Sequence, residues 1–331
     1  MTTGLVIHIP HASTVFPAEY LKGIMFTEKE LTKEILWATD SFCDELFNVS
    51  FGTHIVSEYS RLACDVERFR DDAEEPSARK GNGLLYTHTQ RGVVFREPDN
   101  DLRVKALENI YDPHHYRLTT AVEEVLKKDA PCLIIDGHSF CDDPIVGDNL
   151  PDFCLGTDEY HTPIRLVEAA QSFLEGKGYT VAVNYPYSGS MVPIAYFKKD
   201  KRVLSLMIEV NKRLYLDSSM ANKSGRYEEI KTAVSELITF LSKTCRSLNN
   251  FGCGNTNEIK LSLNDFQMFL LCNELENDRN RYKGYRDNSS LRSDGKECSH
   301  DVAGQQALIS NKIMKHIDEI LRQIRSQWPN Y

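Results

Sequence analysis

His138 closes a short apolar run, residues 131–135, inside the polar cluster Asp136-Gly137-His138-Ser139. Such a run reads as a buried strand of an α/β sheet. Open α/β sheets carry their chemistry beyond the carboxyl ends of their strands. An imidazole at that point is a metal ligand or an acid/base group, or equally a residue that caps a turn. Three other segments end in the same way. His11 follows the apolar stretch 5–9, and residues 61–69 (RLACDVERF) set Arg61, Asp65, Glu67 and Arg68 among small apolar residues. Glu209 lies near the end of residues 203–210 (VLSLMIEV). Asp40 falls on a partly apolar helix face, where a carboxylate must be hydrogen-bonded, paired with an arginine or bound to a metal. Two histidines and a carboxylate brought together make a catalytic zinc site with one position open for water. A separate glutamate, Glu209, can take the proton from that water. An arginine can polarise a carbonyl or grip a carboxylate through a bidentate fork. Such a set would hydrolyse an amide bond next to a carboxylate.

Bringing these groups together requires alternating strands and helices. Strands are predicted at 5–9, 54–56, 132–135, 179–183 and 203–210, with 61–69 as a further strand or the exit of one. Thr27, with Glu28 and Glu30 behind it, is the N-cap signature of a helix reaching about residue 47. A second helix spans about 100–128, interrupted at Tyr111-Asp112-Pro113-His114-His115, because proline ends one helix and opens the next. Amphipathic helices are predicted at 165–176 and 228–245. Residues 70–83 read as a mobile surface loop, and 84–89 with 92–95 as a hairpin or a lid. Residues 184–190 (NYPYSGS) have the turn chemistry of Pro and Gly. The reading is a catalytic domain over residues 1–246 and a polar, Asn-rich extension over 247–331. Within that extension a helical island is expected at 263–275, a flexible run at 277–299 and a final amphipathic helix at 307–328.

A chain of 331 residues suits one large α/β domain with or without an appendage. The formal charge of −9 argues against general binding to nucleic acid or anionic membranes. It does not exclude a small anionic substrate, because one basic pocket outvotes the net field. The chain enters an apolar strand without a basic leader, so no signal peptide is expected. No stretch approaches the roughly 20 apolar residues of a membrane span. Nine cysteines, an odd number without a CxxC pair, fit free thiols in a reducing cytoplasm rather than disulfides or a thiolate zinc site. Any metal is then held by histidine and carboxylate.

Taken in order, PHAS (10–13), TD (39–40), SRLACDVER (60–68), YDPHH (111–115), DGHSF (136–140), LPDFCLGTDEYHTP (150–163), NYPYSGS (184–190) and IEVNKRLY (208–215) resemble the N-formylglutamate amidohydrolase family. The resemblance covers about residues 4–245, and that family is similar to the zinc carboxypeptidase and aspartoacylase fold. It implies an α/β fold with a mixed β-sheet flanked by helices, one Zn2+ per chain, and a small-molecule N-acyl amino acid as substrate. It also implies His11 and His138 as metal ligands. The wider group carries a glutamate three residues after the first histidine, where this chain has Thr14. Asp40 is therefore expected as the third ligand, with Asp65 and Glu67 as alternatives. Glu209 matches the general base. Residues 65–68 are similar to the Asp-x-Asn-Arg motif of aspartoacylases, with Glu67 in place of Asn. Arg61, Arg68 and Arg213 would then grip the substrate, Arg61 also holding the oxyanion, and Asn184, Tyr187 and Ser188 would be loop contacts. The implied reaction frees formate, or another acid, from an N-formyl or N-acyl amino acid such as N-formylglutamate. Two other readings are a zinc peptidase or amidase for another N-acyl substrate, and a binding module of this fold that has lost its metal.

Overall fold

A computed structural model of the chain describes residues 4–249, other than 129, 144, 145 and 148, together with Arg322. The strands are β1 (Gly4–Ile9), β2 (Thr53–Val56), β3 (Cys132–Phe140), β4 (Phe153–Gly156), β5 (Val181–Val183) and β6 (Val203–Asn211). The helices are α1 (Glu28–Ala38), α2 (Cys43–Leu46), α3 (Asn100–Ala106), α4 (Asp112–Leu126), α5 (Ile164–Gly176) and α6 (Tyr227–Asn249). The strands form one sheet in the order β2-β1-β3-β6-β4-β5. β2, β1, β3 and β6 run parallel, β4 lies antiparallel to β6, and β5 pairs parallel to β4. This is the mixed, helix-flanked sheet that the family resemblance implies, and β4, the strand that makes it mixed, is not among those predicted from the sequence.

Every residue of β3 and β6 is buried, as expected of central strands covered on both faces. On one face Ile7, Ile135 and Ile208 share a core with Leu46 of α2, Leu166 of α5 and Leu237 of α6. On the other, Val6, Ile134 and Val203 meet Leu118, Val122 and Leu126 of α4. Side chains alternate along a strand, so His8, Asp136, His138 and Glu209 fall on this α4 face. The pairings His8↔Asp136 and His138↔Glu209 set them side by side near the strands' carboxyl ends.

Several predicted elements change form. The helix expected from Thr27 begins with the capping box between Thr27 and Glu30, but it ends at Ala38. Thr39 turns extended, its hydroxyl donates back to the Ile35 carbonyl at 2.7 Å, and Phe42 adopts φ 62° before α2 starts. Asp40 sits in that break, with its N–H donating to the His11 carbonyl at 2.9 Å. Residues 61–69 form turns rather than a strand. The N–H groups of Ala63 and Cys64 both donate to the Ser60 carbonyl, and this turning buries Leu62, Ala63, Cys64 and Val66 as well as a strand would. Pro113 opens the second helix as expected, but the helical path runs on without a gap. One π-helical turn, Leu107–Tyr111, joins α3 to α4, and Pro113 occupies the first turn of α4, where no N–H is required. The loop 70–83 contains a short 3-10 turn, Pro76–Lys80, and is tied down by Arg70–Asp112 and Arg103–Asp72 ion pairs at 3.0 and 2.8 Å. A His88↔Val94 bridge makes the following segment a small hairpin.

α6 continues to Asn249, and the expectations for the rest of 247–331 lie outside the described residues. Among the described residues no helix is long and apolar enough to cross a membrane.

Candidate active site

The segments that follow β1, α1, β2 and β6 converge with β3 and the 184–190 loop on a cleft of about 400 Å³. His11, Asp40, Arg61, Glu67, Arg68, His138, Tyr187, Ser188, Glu209 and Lys212 all line it. The imidazole rings of His11 and His138 lie 5.1 Å apart, centroid to centroid. Asp40 Oδ2 approaches the Nδ1 edges of both rings, 3.2 Å from His138 and 3.7 Å from His11. Glu67 approaches the Nε2 edges, with Oε1 3.1 Å from His138 and Oε2 3.6 Å from His11. Ligand-capable atoms of His11, Glu67 and His138 lie within 4.8 Å of one another, so these residues could hold a metal ion. His8, Glu67 and Asp136 form a second such group, but His8 Nδ1 and Asp136 Oδ1 are already hydrogen-bonded at 2.8 Å.

The two nitrogens of His11 have different surroundings. Nε2 is hydrogen-bonded to Asp65 Oδ1 at 2.9 Å. Nδ1 is buried without a hydrogen-bond partner among the described residues. His138 Nε2 lies 3.2 Å from Asp136 Oδ1. A metal-bound histidine characteristically offers one nitrogen to the ion and the other to a carboxylate, and two imidazoles with a carboxylate are a donor set that suits a divalent cation.

Electrostatics sharpen this division of labour. Burial pushes Asp65 up, but Arg61, Arg68 and His11 outweigh it and hold the carboxyl well below the usual carboxylate range. Asp65 accepts from Arg61 Nη2 at 2.8 Å and from Tyr86 Oη at 2.8 Å, so it is a fixed anion behind His11. Asp40 is likewise driven below its ordinary range: burial opposes ionisation, and the neighbouring His11 and His138 imidazoles and the Lys212 charge override it. Glu209 behaves oppositely. Burial lifts it to about 8 despite His138, with Asp40 and Glu67 adding to the rise. Its Oε2 is buried without a partner among the described residues. A carboxyl raised into the neutral range in a cleft has the chemistry a proton carrier needs.

Beneath the cleft runs a buried chain that sequence reading missed. His114 Nε2 meets His8 Nε2 at 2.9 Å, and His8 Nδ1 meets Asp136. The other Asp136 oxygen accepts the Met191 N–H at 2.8 Å, at the exit of the 184–190 loop. Burial, reinforced by His8, pushes His114 down to about 2, so that ring is neutral. A signal was present, since Asp136 stands two residues before His138 and shares its strand face. His8 was masked by the apolar run around it.

Two predicted substrate contacts are not brought to the cleft. Asn184 instead locks a turn, its side chain accepting from Thr157 N at 2.9 Å and donating to Thr157 Oγ1 at 2.8 Å. Arg213 is engaged by Asp142 at 3.1 Å and Asp152 at 2.8 Å, and faces a separate hollow. The reason is the 3-10 turn Lys212–Leu214, which ends the strand alternation and turns Lys212, not its neighbour, into the cleft.

Residues 3–216 match the family model of N-formylglutamate amidohydrolase. The N-formylglutamate deformylase of Pseudomonas putida is 26% identical over 227 residues, 65% of this chain and 82% of that protein. The crystal structure of N-formylglutamate amidohydrolase from Ralstonia eutropha JMP134 superposes with a TM-score of 0.63 at 22% identity, over 74% of this chain and 95% of that one. A gene product of Agrobacterium tumefaciens gives 0.54 at 20% identity, over 75% and 93%. At those identities the solved structures speak for the fold, while the family match spans well over half of the sequence. The chain belongs to the N-formylglutamate amidohydrolase family, hydrolases of carbon–nitrogen bonds other than peptide bonds.

Proposed function

We propose that this protein hydrolyses the formyl amide of a carboxylate-bearing N-formyl amino acid, N-formylglutamate first among them, with the aid of one zinc ion. The observation that carries the reading is the pair of buried, unpartnered acceptor atoms in one cleft, His11 Nδ1 and Glu209 Oε2. His11 and His138 would hold the ion through Nδ1, together with Asp40, while Asp65 and Asp136 fix the opposite nitrogens. Glu67, at the Nε2 edges, is the alternative carboxylate. The ion, when bound, polarises a carbonyl and lowers the pKa of water toward about 7.

Glu209 Oε2 accepts the proton of the attacking water and returns it to the departing amine nitrogen, leaving formate and the free amino acid. Arg61, held in place by Asp65 and Tyr86, supplies positive charge to the oxygen that becomes an oxyanion. Arg68 stands beside it, braced by Asn82 O at 3.1 Å and Tyr86 Oη at 2.8 Å, to grip a substrate carboxylate. Tyr187 and Ser188 wall the cleft. All of these residues fall within 1–246, which supports that segment as the catalytic domain. Cys43, Cys64, Cys132, Cys141 and Cys154 are free thiols, which supports a reducing, cytoplasmic setting.

The test pairs metal analysis with a formate-release assay on N-formylglutamate. We expect about one zinc per chain, loss of turnover on chelation and its return on adding zinc. Asp40→Asn should lose the metal and Glu67→Gln should keep it; the opposite result transfers the ligand role to Glu67. No formate from any N-formyl amino acid by zinc-loaded protein would end the proposal.

A further inference from the structure

The geometry points to Lys212 as the residue that selects a second carboxylate on the substrate, an inference that rests on the deformylase reading above. Lysine is almost never buried without a partner, yet Lys212 is only 4% exposed in the cleft wall. Its ammonium donates to the backbone carbonyls of Thr39 at 2.6 Å and Trp37 at 3.4 Å. No carboxylate among the described residues pairs with it within 4.0 Å. Carbonyls at the end of α1 provide partial negative charge, and that helix has no basic residue of its own in its last turn. Partial charges only partly offset the removal of an ammonium from water, and a counter-ion seated on it would offset more.

The other cations of the cleft are in a different position. Arg61 and Arg68 share a single anion, Asp65, at 2.8 and 3.5 Å. Two positive charges against one leave a net single charge at that pole. Lys212 supplies a second at its own pole, anchored to Thr39, the residue before Asp40. Asp40 and Glu67 are engaged with the two histidines. The Lys212 charge favours the ionised form of Asp40, but that carboxylate lies beyond ion-pair distance and is engaged with the histidines, so the cleft offers two cationic poles that its own carboxylates do not fully match; an N-formylated dicarboxylic amino acid carries two carboxylates. A monocarboxylic substrate would leave one of the two poles without a carboxylate seated on it.

A lysine that merely tied down the end of α1 would matter equally for every substrate, and this separates the two roles. The experiment measures kcat/KM for formate release from N-formylglutamate and its neutral isostere N-formylglutamine, using zinc-loaded full-length wild type, Lys212→Met and Lys212→Arg. The wild type should prefer N-formylglutamate by about 100-fold, the worth of a charge-assisted hydrogen bond to a desolvated partner. In Lys212→Met that ratio should fall close to one, with the loss residing mainly in KM, and Lys212→Arg should restore much of it. An equal loss on both substrates, or a preference that survives in Lys212→Met, overturns the proposal. Should Lys212→Met fail to fold, the wild-type ratio and Lys212→Arg decide, and a wild-type ratio near one is a refutation. A wild type inert toward every N-formyl amino acid refutes the deformylase reading instead, so the two failures are distinguishable.

Discussion

Replacing Glu209 by glutamine should make the metal-free protein more stable and the enzyme almost inactive. Glu209 is 6% exposed, one carboxylate oxygen has no partner among the described residues, and burial raises its pKa from 4.5 to about 8. Between those values the folded chain binds more protons than the unfolded chain, so stability falls as pH rises through this window. At ~1.4 kcal/mol per pH unit, holding the carboxyl in the fold at pH 7 costs about 3 kcal/mol. Glutamine has nothing to ionise. Metal-free Glu209→Gln should therefore gain up to about 3 kcal/mol at pH 7, or roughly 6–12 °C in Tm for a domain of this size. The gain should be near zero at pH 4.5 and largest by pH 8. The amide cannot take a proton from water, so kcat should drop by about 10²–10⁴, equivalent to about 3–5 kcal/mol of barrier. Formate release at saturating substrate gives the rate, and melts of chelator-treated protein at pH 4.5, 7 and 8 give the stability profile. Wild-type turnover in the variant, or a metal-free variant less stable than wild type at pH 7, would refute the reasoning.

Asp136→Asn should weaken zinc affinity by about 10–100-fold, because the carboxylate steadies His138 and also holds the Met191 N–H; competition against a chromophoric chelator measures this, and unchanged affinity removes the strut. Asp65 is depressed well below its ordinary 3.8, so its stabilisation is complete above that value and is lost as pH falls through the folded pKa. Asp65→Asn removes the buried anion between two partly buried guanidiniums and should cost about 3–5 kcal/mol at pH 7 while flattening the acid limb of the denaturation profile; a variant as stable as wild type at pH 7 contradicts it. Arg96 is fully buried and gives its guanidinium to the carbonyls of Tyr86, Tyr20 and Leu62, so Arg96→Met should lose about 2–4 kcal/mol in urea titrations with kcat/KM little altered. Arg213→Ala, remote from the cleft, should change kcat/KM by less than about twofold, and a tenfold loss would return that residue to the substrate site.

Much of the framework was legible in the one-dimensional chain. Apolar runs mark β1, β3 and β6 because burial on both faces of a sheet requires them, and the polar residues that follow mark His138, Glu209 and His11 as strand-end groups. The Thr27–Glu30 capping box is equally local, since its partners lie three residues apart. Other features turned on contacts that no window of sequence contains. Asp40 reaches His138 across 98 positions and only because α1 breaks at Thr39. The stretch 61–69 has the composition of a strand, but turns around Ser60 bury the same side chains. The charges of Asp65 and Glu67 alternate as they would along a strand, so the pattern did not reveal that both reach the histidines.

The sequence by itself marked the central strands, most of the helical cover and the two histidines and glutamate at strand ends, because hydrophobic period, capping and strand-end chemistry act over a few neighbouring residues, while its ordered motifs carried the family resemblance. Tertiary structure alone decided which carboxylates flank each imidazole, that Lys212 rather than Arg213 enters the cleft, and that His8 and Asp136 underlie the site. Most of those choices depend on side chains far apart in the chain meeting at hydrogen-bond distance, 54 positions for His11 and Asp65 and 173 for Lys212 and Thr39. Such meetings follow from how separate loops pack, and packing is a property of the whole core rather than of any segment.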